Sequence, residues 1–222
     1  MTKRFFITGT DTEVGKTYVS CELLKHYNNK NLSTVALKPI ASGCNDNMQN
    51  ADALLLQENS SIKLSYDQVN PFAFKEPIAP HIAAQKTGVE LSSNNIIESI
   101  KPQLNTSSDV IIIEGAGGWD VPLNHQETYS SVVKALDLNV ILVVGMKLGC
   151  INHAILSAKA ILNDDVRLVG WIANCIDPEM SCLNENIDTL KAMLAVPCLG
   201  VIKYGNSFSA PIPTFPQRGK EL

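Results

Sequence analysis

The chain has 222 residues, of which 45% are hydrophobic and 18% charged, and a formal net charge of −4. That length suits one sizeable α/β domain, and an acidic balance without a basic run excludes the electrostatic footprint of a nucleic-acid binder. Cys21, Cys44, Cys150, Cys175, Cys182 and Cys198 include no Cys-x-x-Cys pair, which argues against a zinc site or disulfide framework and for a reducing compartment. No run approaches the ~20 apolar residues of a bilayer span, so a cytoplasmic protein without a membrane partner is expected.

The first apolar run, Arg4–Thr8, leads into Gly9-Thr10-Asp11-Thr12-Glu13-Val14-Gly15-Lys16-Thr17, and a helical stretch follows over Tyr18–Tyr27. Strand, glycine turn, Lys-Thr and helix is the layout of a phosphate-binding loop. Backbone N–H groups and the helix start face oxyanions, Lys16 bridges the terminal phosphates, and the Thr17 hydroxyl ligates Mg²⁺. Glu13, Val14, Gly15 and Tyr18 are the adjoining nucleotide contacts expected. Five residues instead of the usual four separate Gly9 from Gly15, so Thr10 stands where the first glycine commonly does. Glu13 either serves an amine or points to solvent, and the sequence leaves both open.

Further along, Thr34–Lys38, Asp109–Glu114, Asn139–Val144, Leu168–Ala173 and Cys198–Ile202 read as strands. Ala51–Gln57, Ser93–Ile100, Ser131–Leu136, Ile151–Leu162 and Asn184–Leu194 read as helices. The runs Val110–Ile113 and Val140–Val144 are apolar without alternation, as in strands covered on both faces. This order predicts a three-layer, doubly wound, mostly parallel α/β sheet of the P-loop NTPase type in a single domain spanning 1–222. The tail 205–222 carries Pro211, Pro213 and Pro216; it either folds over the nucleotide or frays.

Ligands in such sheets gather at the carboxyl ends of the strands. Lys38 closes one buried strand and would place a second ammonium opposite Lys16, although most lysines are simply solvated. Asp52 begins a helix, where an aspartate often only complements the dipole. Glu114 ends an apolar strand, and with Thr17 and Asp52 it supplies the hard oxygens Mg²⁺ prefers. The glycines in Gly115-Ala116-Gly117-Gly118 admit close backbone approach to a ligand. Gly149-Cys150-Ile151-Asn152 opens a helix suited to a carboxylate. Asn174-Cys175 occupies the place where a guanine-specific site has Asn-Lys, so ATP is expected, with Asn174 hydrogen-bonding the adenine.

Together these segments resemble the dethiobiotin synthetase family: Gly9–Thr17, Lys38-Pro-Ile-Ala-Ser-Gly43, Asp52-Ala-Leu, Asn70-Pro71 with Pro80-His81, Glu114–Gly118, Val144–His153 and Gly170–Asn174. The likeness runs to about residue 202, and the long-spaced loop resembles the family's own form. It implies an ATP- and Mg²⁺-dependent ligase that closes the ureido ring of dethiobiotin from 7,8-diaminononanoate and CO₂, in biotin biosynthesis, through a carbamate and a carbamic-phosphoric anhydride. By that resemblance Lys38, Lys16, Glu13 and Thr12 are catalytic. Thr12, Lys38, Ser42, Gly117, Gly118, Cys150, Ile151 and Asn152 hold substrate, the last three from the partner subunit of a homodimer. Gly115, Ala116, Gly117, Asn174, Cys175 and Tyr204 join the loop, Asp52 and Glu114 around ATP. Lys203-Tyr204-Gly205 departs from the family's Pro-hydrophobic pair, which leaves Tyr204 to stack on the base. Three competing readings are a partitioning or regulatory P-loop ATPase, whose extra early lysine is missing, a GTP-dependent metal-insertion chaperone, whose guanine lysine Cys175 replaces, and a catalytically dead binding protein, which would lack one of Lys16, Lys38, Thr17 or Glu114.

Overall fold

The computed structural model describes residues 2–205; the proline-containing tail therefore lies, from residue 206, outside the described residues. In chain order the elements are β1 (Lys3–Gly9), α1 (Lys16–Asn28), β2 (Thr34–Leu37), β3 (Ile40–Ser42), α2 (Ala51–Asn59), α3 (Tyr66–Val69), β4 (Phe72–Phe74) and α4 (Pro80–Thr87). They continue with α5 (Ser93–Leu104), β5 (Val110–Glu114), α6 (Ser130–Ala135), β6 (Asn139–Gly145), α7 (Cys150–Asn163), β7 (Leu168–Asn174), α8 (Leu183–Met193) and β8 (Cys198–Ile202). The six strands and six helices expected from sequence are all present within a few residues. β3, β4, α3 and α4 are additions that the pattern did not reveal.

The main sheet has the order β2-β5-β1-β6-β7-β8 and every pairing in it is parallel. β1 sits centrally, between β5 and β6, so the loop that leaves it emerges where the chain has wound to either side, the place such sheets bind ligands. β3 and β4 form a separate parallel pair.

The apolar runs divide between two faces with the period of a strand. Phe5 and Ile7 of β1, Val110 and Ile112 of β5, and Ile141 and Val143 of β6 enter one layer with Val19, Leu23 and Leu24 of α1 and Leu56 of α2. Phe6, Ile111, Ile113, Val140, Leu142 and Val144 enter the opposite layer with residues of α4, α5, α6, α7 and α8. Burying each such side chain contributes roughly 1.5–3 kcal/mol, so the strand ends are held on a rigid base.

That parity also aims the polar residues. Lys38 shares the face of Ala36, Glu114 that of Ile112, and Asn174 that of Ile172, all on the α1 side of the sheet. A one-residue slip in any of these strands would send its charge into the other layer.

Candidate active site

The loop from Thr10 to Gly15 folds back over the end of β1, and Val14 is its anchor. Val14 is fully buried, and a Cβ on Gly9 would meet its Cγ2 at 2.6 Å. Close approach therefore demands glycine at position 9, where β1 ends, rather than at Thr10. Gly15 has φ +81°, and a Cβ there would come within 2.1 Å of Asn174 Nδ2. That nitrogen donates to the Val14 carbonyl at 2.8 Å, so β7 clamps the loop from the side. Glu13 has φ +56°, a left-handed conformation that a non-glycine residue holds only where its surroundings impose it. Its exposed side chain borders the cavity described below.

Lys16 and Thr17 open α1. Lys16 Nζ donates to the Asp11 carbonyl at 3.0 Å. Burial, and then the facing Lys38 ammonium, bring its pKa down to about 8. Glu114, completely buried at the end of β5, gathers three donors. Thr17 Oγ1 donates to Oε1 at 2.8 Å, Ser20 Oγ to Oε2 at 2.9 Å, and Lys38 Nζ to Oε1 at 2.6 Å. Lys38 Nζ also lies 3.6 Å from Asp52 Oδ2. Burial opposes the charge on Lys38, but the Glu114 and Asp52 carboxylates outweigh it and hold its pKa above the ordinary lysine value. Two ammonium groups, two carboxylates and a hydroxyl thus converge at one strand edge, with Lys16, Lys38 and Glu114 buried and Asp52 partly exposed, and burial strengthens the interactions among the first three.

These groups line a cavity of about 1070 Å³. Thr12, Glu13, Gly15, Lys16, Thr17, Tyr18, Lys38, Ser42, Asp52, Glu114, Ala116 and Gly117 all border it, so most of the site expected from sequence is brought together. Ser42 Oγ is buried with no hydrogen-bond partner, a polar group with capacity to spare. One wall is apolar, from Ile40 and Ala41 of β3, the Pro77–Pro80 turn, Val121 and Pro122. Cys21 also lines the cavity, but burial and the nearby Glu114 charge push its thiol up to about 12, which makes it a poor nucleophile.

The remaining expected residues lie elsewhere. Val14, Gly115 and Gly118 build the loops behind the cavity; a Cβ on Gly115 would strike the Phe6 ring at 2.7 Å. Asn174 and Cys175 end β7; Asn174 keeps only its Oδ1 free of the loop, and Cys175 is 4% exposed. Tyr204, just beyond β8, is 63% exposed. Cys150, Ile151 and Asn152 open α7, away from the cavity wall. The Cys150 side chain is buried and its N–H donates to the Lys147 carbonyl at 3.0 Å; Ile151 packs partly buried against the core, and Asn152 is exposed.

Of the groups that place Lys38, Ser42 and Asp52, sequence reasoning named Asn70 only within a matching segment and missed Asn50 and Tyr66. Tyr66 Oη accepts from the Asn50 N–H at 2.7 Å and donates to Asn70 Oδ1 at 2.9 Å. Asn70 Nδ2 donates to the Lys38 carbonyl at 2.7 Å, and Asn50 Nδ2 to the Ser42 carbonyl at 3.2 Å. Asn50 Oδ1 caps α2 by accepting from the Asp52 and Ala53 N–H groups at 3.0 and 3.2 Å. One phenol thus ties together three backbone segments of the site. Asn50 before Ala51-Asp52 is a helix-cap signature, and Ser65…Gln68, whose amide oxygen accepts from the Ser65 N–H at 2.9 Å, has capping-box spacing; either signal pointed to this region.

A parallel sheet whose central strand runs into a Gly-Lys-Thr loop and helix, with a buried carboxylate and a lysine closing the next two strands on one side, defines a P-loop nucleotide-binding protein. The AAA_26 family (AAA domain) matches residues 3–211. Among curated proteins, the chain is 52% identical over 199 residues to the ATP-dependent dethiobiotin synthetase BioD of Pseudomonas aeruginosa strain LESB58, covering 88% of this chain and 87% of that protein. It is 48% identical to the protein of the same description from Cellvibrio japonicus, covering 90% and 89%. Among solved structures, the septum site-determining protein MinD of Pyrococcus horikoshii, complexed with Mg-ADP, superposes with a TM-score of 0.57 at 16% identity, over 91% of this chain and 82% of that one. FtsY of Thermotoga maritima gives a TM-score of 0.54 at 16% identity, and this chain covers 95% of itself and spans 65% of that longer chain. These two share the fold. The chain belongs to the ATP-dependent dethiobiotin synthetase family, and is an ATP-using ligase.

Proposed function

We propose that this ligase closes the ureido ring of dethiobiotin from 7,8-diaminononanoate, CO₂ and ATP, with Mg²⁺. An amine of the substrate adds to CO₂ and loses a proton, giving a carbamate. A carbamate oxygen attacks the γ-phosphorus and ADP departs, leaving a carbamic-phosphoric anhydride. The second amine attacks the carbamate carbon and expels phosphate with the oxygen that bridged carbon to phosphorus. The observation that carries this reading is the convergence of Lys16 and Lys38 on one cavity edge beside Glu114 and Asp52. A carbamate beside a triphosphate concentrates negative charge, and catalysis of phosphoryl transfer consists mainly of positioning and neutralising it.

Lys16 would hold the transferring phosphate and Lys38 the carbamate. Thr12 and Ser42 would hydrogen-bond the diamine end, with Glu13 orienting or deprotonating an amine and the Gly117-Gly118 backbone close by. The apolar wall of Ile40, Ala41, Pro77, Ile78 and Val121 suits the substrate's methylene chain. Its distal carboxylate would rest on the α7 start (Cys150–Asn152) of a second copy, which makes the working unit a homodimer. The adenine would lie by Asn174 Oδ1, Cys175 and Tyr204.

Thr17, Asp52 and Glu114 offer only hard oxygen donors, and the ammonium already seated between the two carboxylates marks the place as one that takes positive charge; Mg²⁺ fits them. When bound, it would neutralise the β- and γ-phosphate oxygens. The test is incorporation of labelled bicarbonate into acid-stable product alongside ADP release. Label and ADP are expected together, and only with the diamine present. ADP released without label or diamine would contradict the proposal and favour a partitioning-type ATPase.

A further inference from the structure

Ser20 is a buried polar group with no role in the chemistry proposed above. It stands one turn beyond Thr17 on α1, so both hydroxyls share a helix face. Its relative exposure is 0%, and the neighbouring Val19, Leu23 and Leu24 pack in the apolar layer. If packing alone mattered, alanine would serve better: it is the stronger helix former and carries no polar atom to satisfy. A serine in a helix interior commonly bonds back to the preceding turn. This one instead donates to Glu114 Oε2 at 2.9 Å.

The two oxygens of Glu114 are consequently divided. Oε1 meets the functional groups, Thr17 Oγ1 at 2.8 Å and Lys38 Nζ at 2.6 Å. Oε2 is tied to the helix that also carries the phosphate-binding lysine. A carboxylate with one oxygen fixed cannot rotate the other away from Thr17. Without that bond, the buried Oε2 has no hydroxyl and the group can turn to share Lys38 through both oxygens.

We infer that Ser20 is a positioning residue: its hydroxyl fixes the rotation of Glu114, so that Oε1 is presented beside the Thr17 hydroxyl to a divalent cation bound with the nucleotide. The inference rests on the proposal that Glu114 helps to hold the metal. Hydrogen-bond partners of metal-binding carboxylates typically account for about 10- to 100-fold in affinity.

The test follows Mn²⁺ binding by electron paramagnetic resonance, with a non-hydrolysable ATP analogue, in the wild type, Ser20→Ala and Glu114→Gln. Ser20→Ala is expected to weaken Mn²⁺ by about tenfold while the metal-free affinity for the analogue stays within about twofold. If Glu114→Gln weakens Mn²⁺ and Ser20→Ala binds it like the wild type, Ser20 only fills space; the inference falls and the role of Glu114 stands. Equal losses of metal and metal-free nucleotide in Ser20→Ala would reveal a general loosening of α1, and would overturn it too. If Glu114→Gln itself leaves Mn²⁺ binding unchanged, the metal-holding role of Glu114 fails, and the inference with it.

Discussion

The two ends of the proposed nucleotide path are built on different terms. At the phosphate end, Lys16, Lys38 and Glu114 are buried charges, each held by named partners at 2.6–3.6 Å. At the end proposed for the base, Asn174 gives its amide nitrogen to the loop, Cys175 is buried, and Tyr204 is 63% exposed. The first end uses burial and hydrogen bonds to fix charge; the second, among the described residues, offers one carbonyl oxygen and an open ring. Among the described residues, the proposal therefore puts the grip at the phosphates and leaves the base the more weakly held part.

The largest expected effect lies at the charged end. Lys38→Met should cut ring closure by about 10²–10³-fold or more, the loss that follows removal of one oxyanion-stabilising donor. Nucleotide affinity, which the proposal assigns to the loop and Lys16, should change little; equilibrium binding of a fluorescent ATP analogue measures it. Equal loss of binding and turnover would make Lys38 a nucleotide ligand and blur the contrast between the two ends.

Next in size is Tyr66→Phe, which strips a half-buried hydroxyl from the Asn50–Asn70 connection. Leaving the Asn50 N–H and Asn70 Oδ1 unpaired costs about 1–3 kcal/mol of stability. Misplacing Lys38 and Asp52 should lower kcat by about 10- to 100-fold, with KM for ATP nearly unchanged. An unaltered kcat with a lowered Tm would reduce Tyr66 to a structural support.

The pH dependence also belongs to the charged end. Lys16 sits at about 8 in the free protein against an ordinary value of 10.5, and a bound triphosphate favours its ammonium form. ATP affinity should therefore be level below pH 8 and fall by up to about tenfold per unit above it, with uptake of about one proton on binding. Calorimetry in two buffers of different ionisation enthalpy reads that uptake. For the nucleotide-free protein the sign is opposite. Between about 8 and 10.5 the folded chain binds fewer protons than the unfolded one, so this group's contribution to stability rises with pH. Its burial cost stands in full below 8. Lys16→Met should flatten both profiles.

The smallest effect is expected at the other end. Tyr204→Ala should raise KM for ATP by no more than about fivefold, the value of one exposed stacking contact of ~1 kcal/mol, and leave kcat alone. A large loss of selectivity for ATP over GTP would show that the base end carries more than its geometry suggests.

The same contrast explains what could be read from the sequence. Val110–Ile113 and Val140–Val144 were legible because strands buried on both faces need long apolar runs, and Lys38 and Glu114 because each ends such a strand at the edge where these sheets bind ligands. Glycines 9 and 15, with Lys16 and Thr17, gave the loop at once. β3 and β4 span three residues each and α3 four, too few for periodicity to register. α4 escaped although Pro80 begins it and Gly88 ends it, signals that stand out only once a helix is suspected. Tyr66 and Asn70 act on backbone groups of segments distant in sequence, and nothing local marks that. Asn174 is expected from sequence to meet the adenine, but its bond to the Val14 carbonyl depends on β7 facing the same side as the loop, which only the sheet register fixes.

The most direct test of the account is the fate of oxygen from CO₂. The enzyme would be given ¹⁸O-labelled CO₂ with ATP, Mg²⁺ and 7,8-diaminononanoate in a short single-turnover reaction, and the released phosphate analysed by mass spectrometry. If Lys16 and Lys38 bring a carbamate oxygen onto the γ-phosphorus, one ¹⁸O must leave with the phosphate. Dethiobiotin formed alongside phosphate that carries no label from CO₂ would contradict the account.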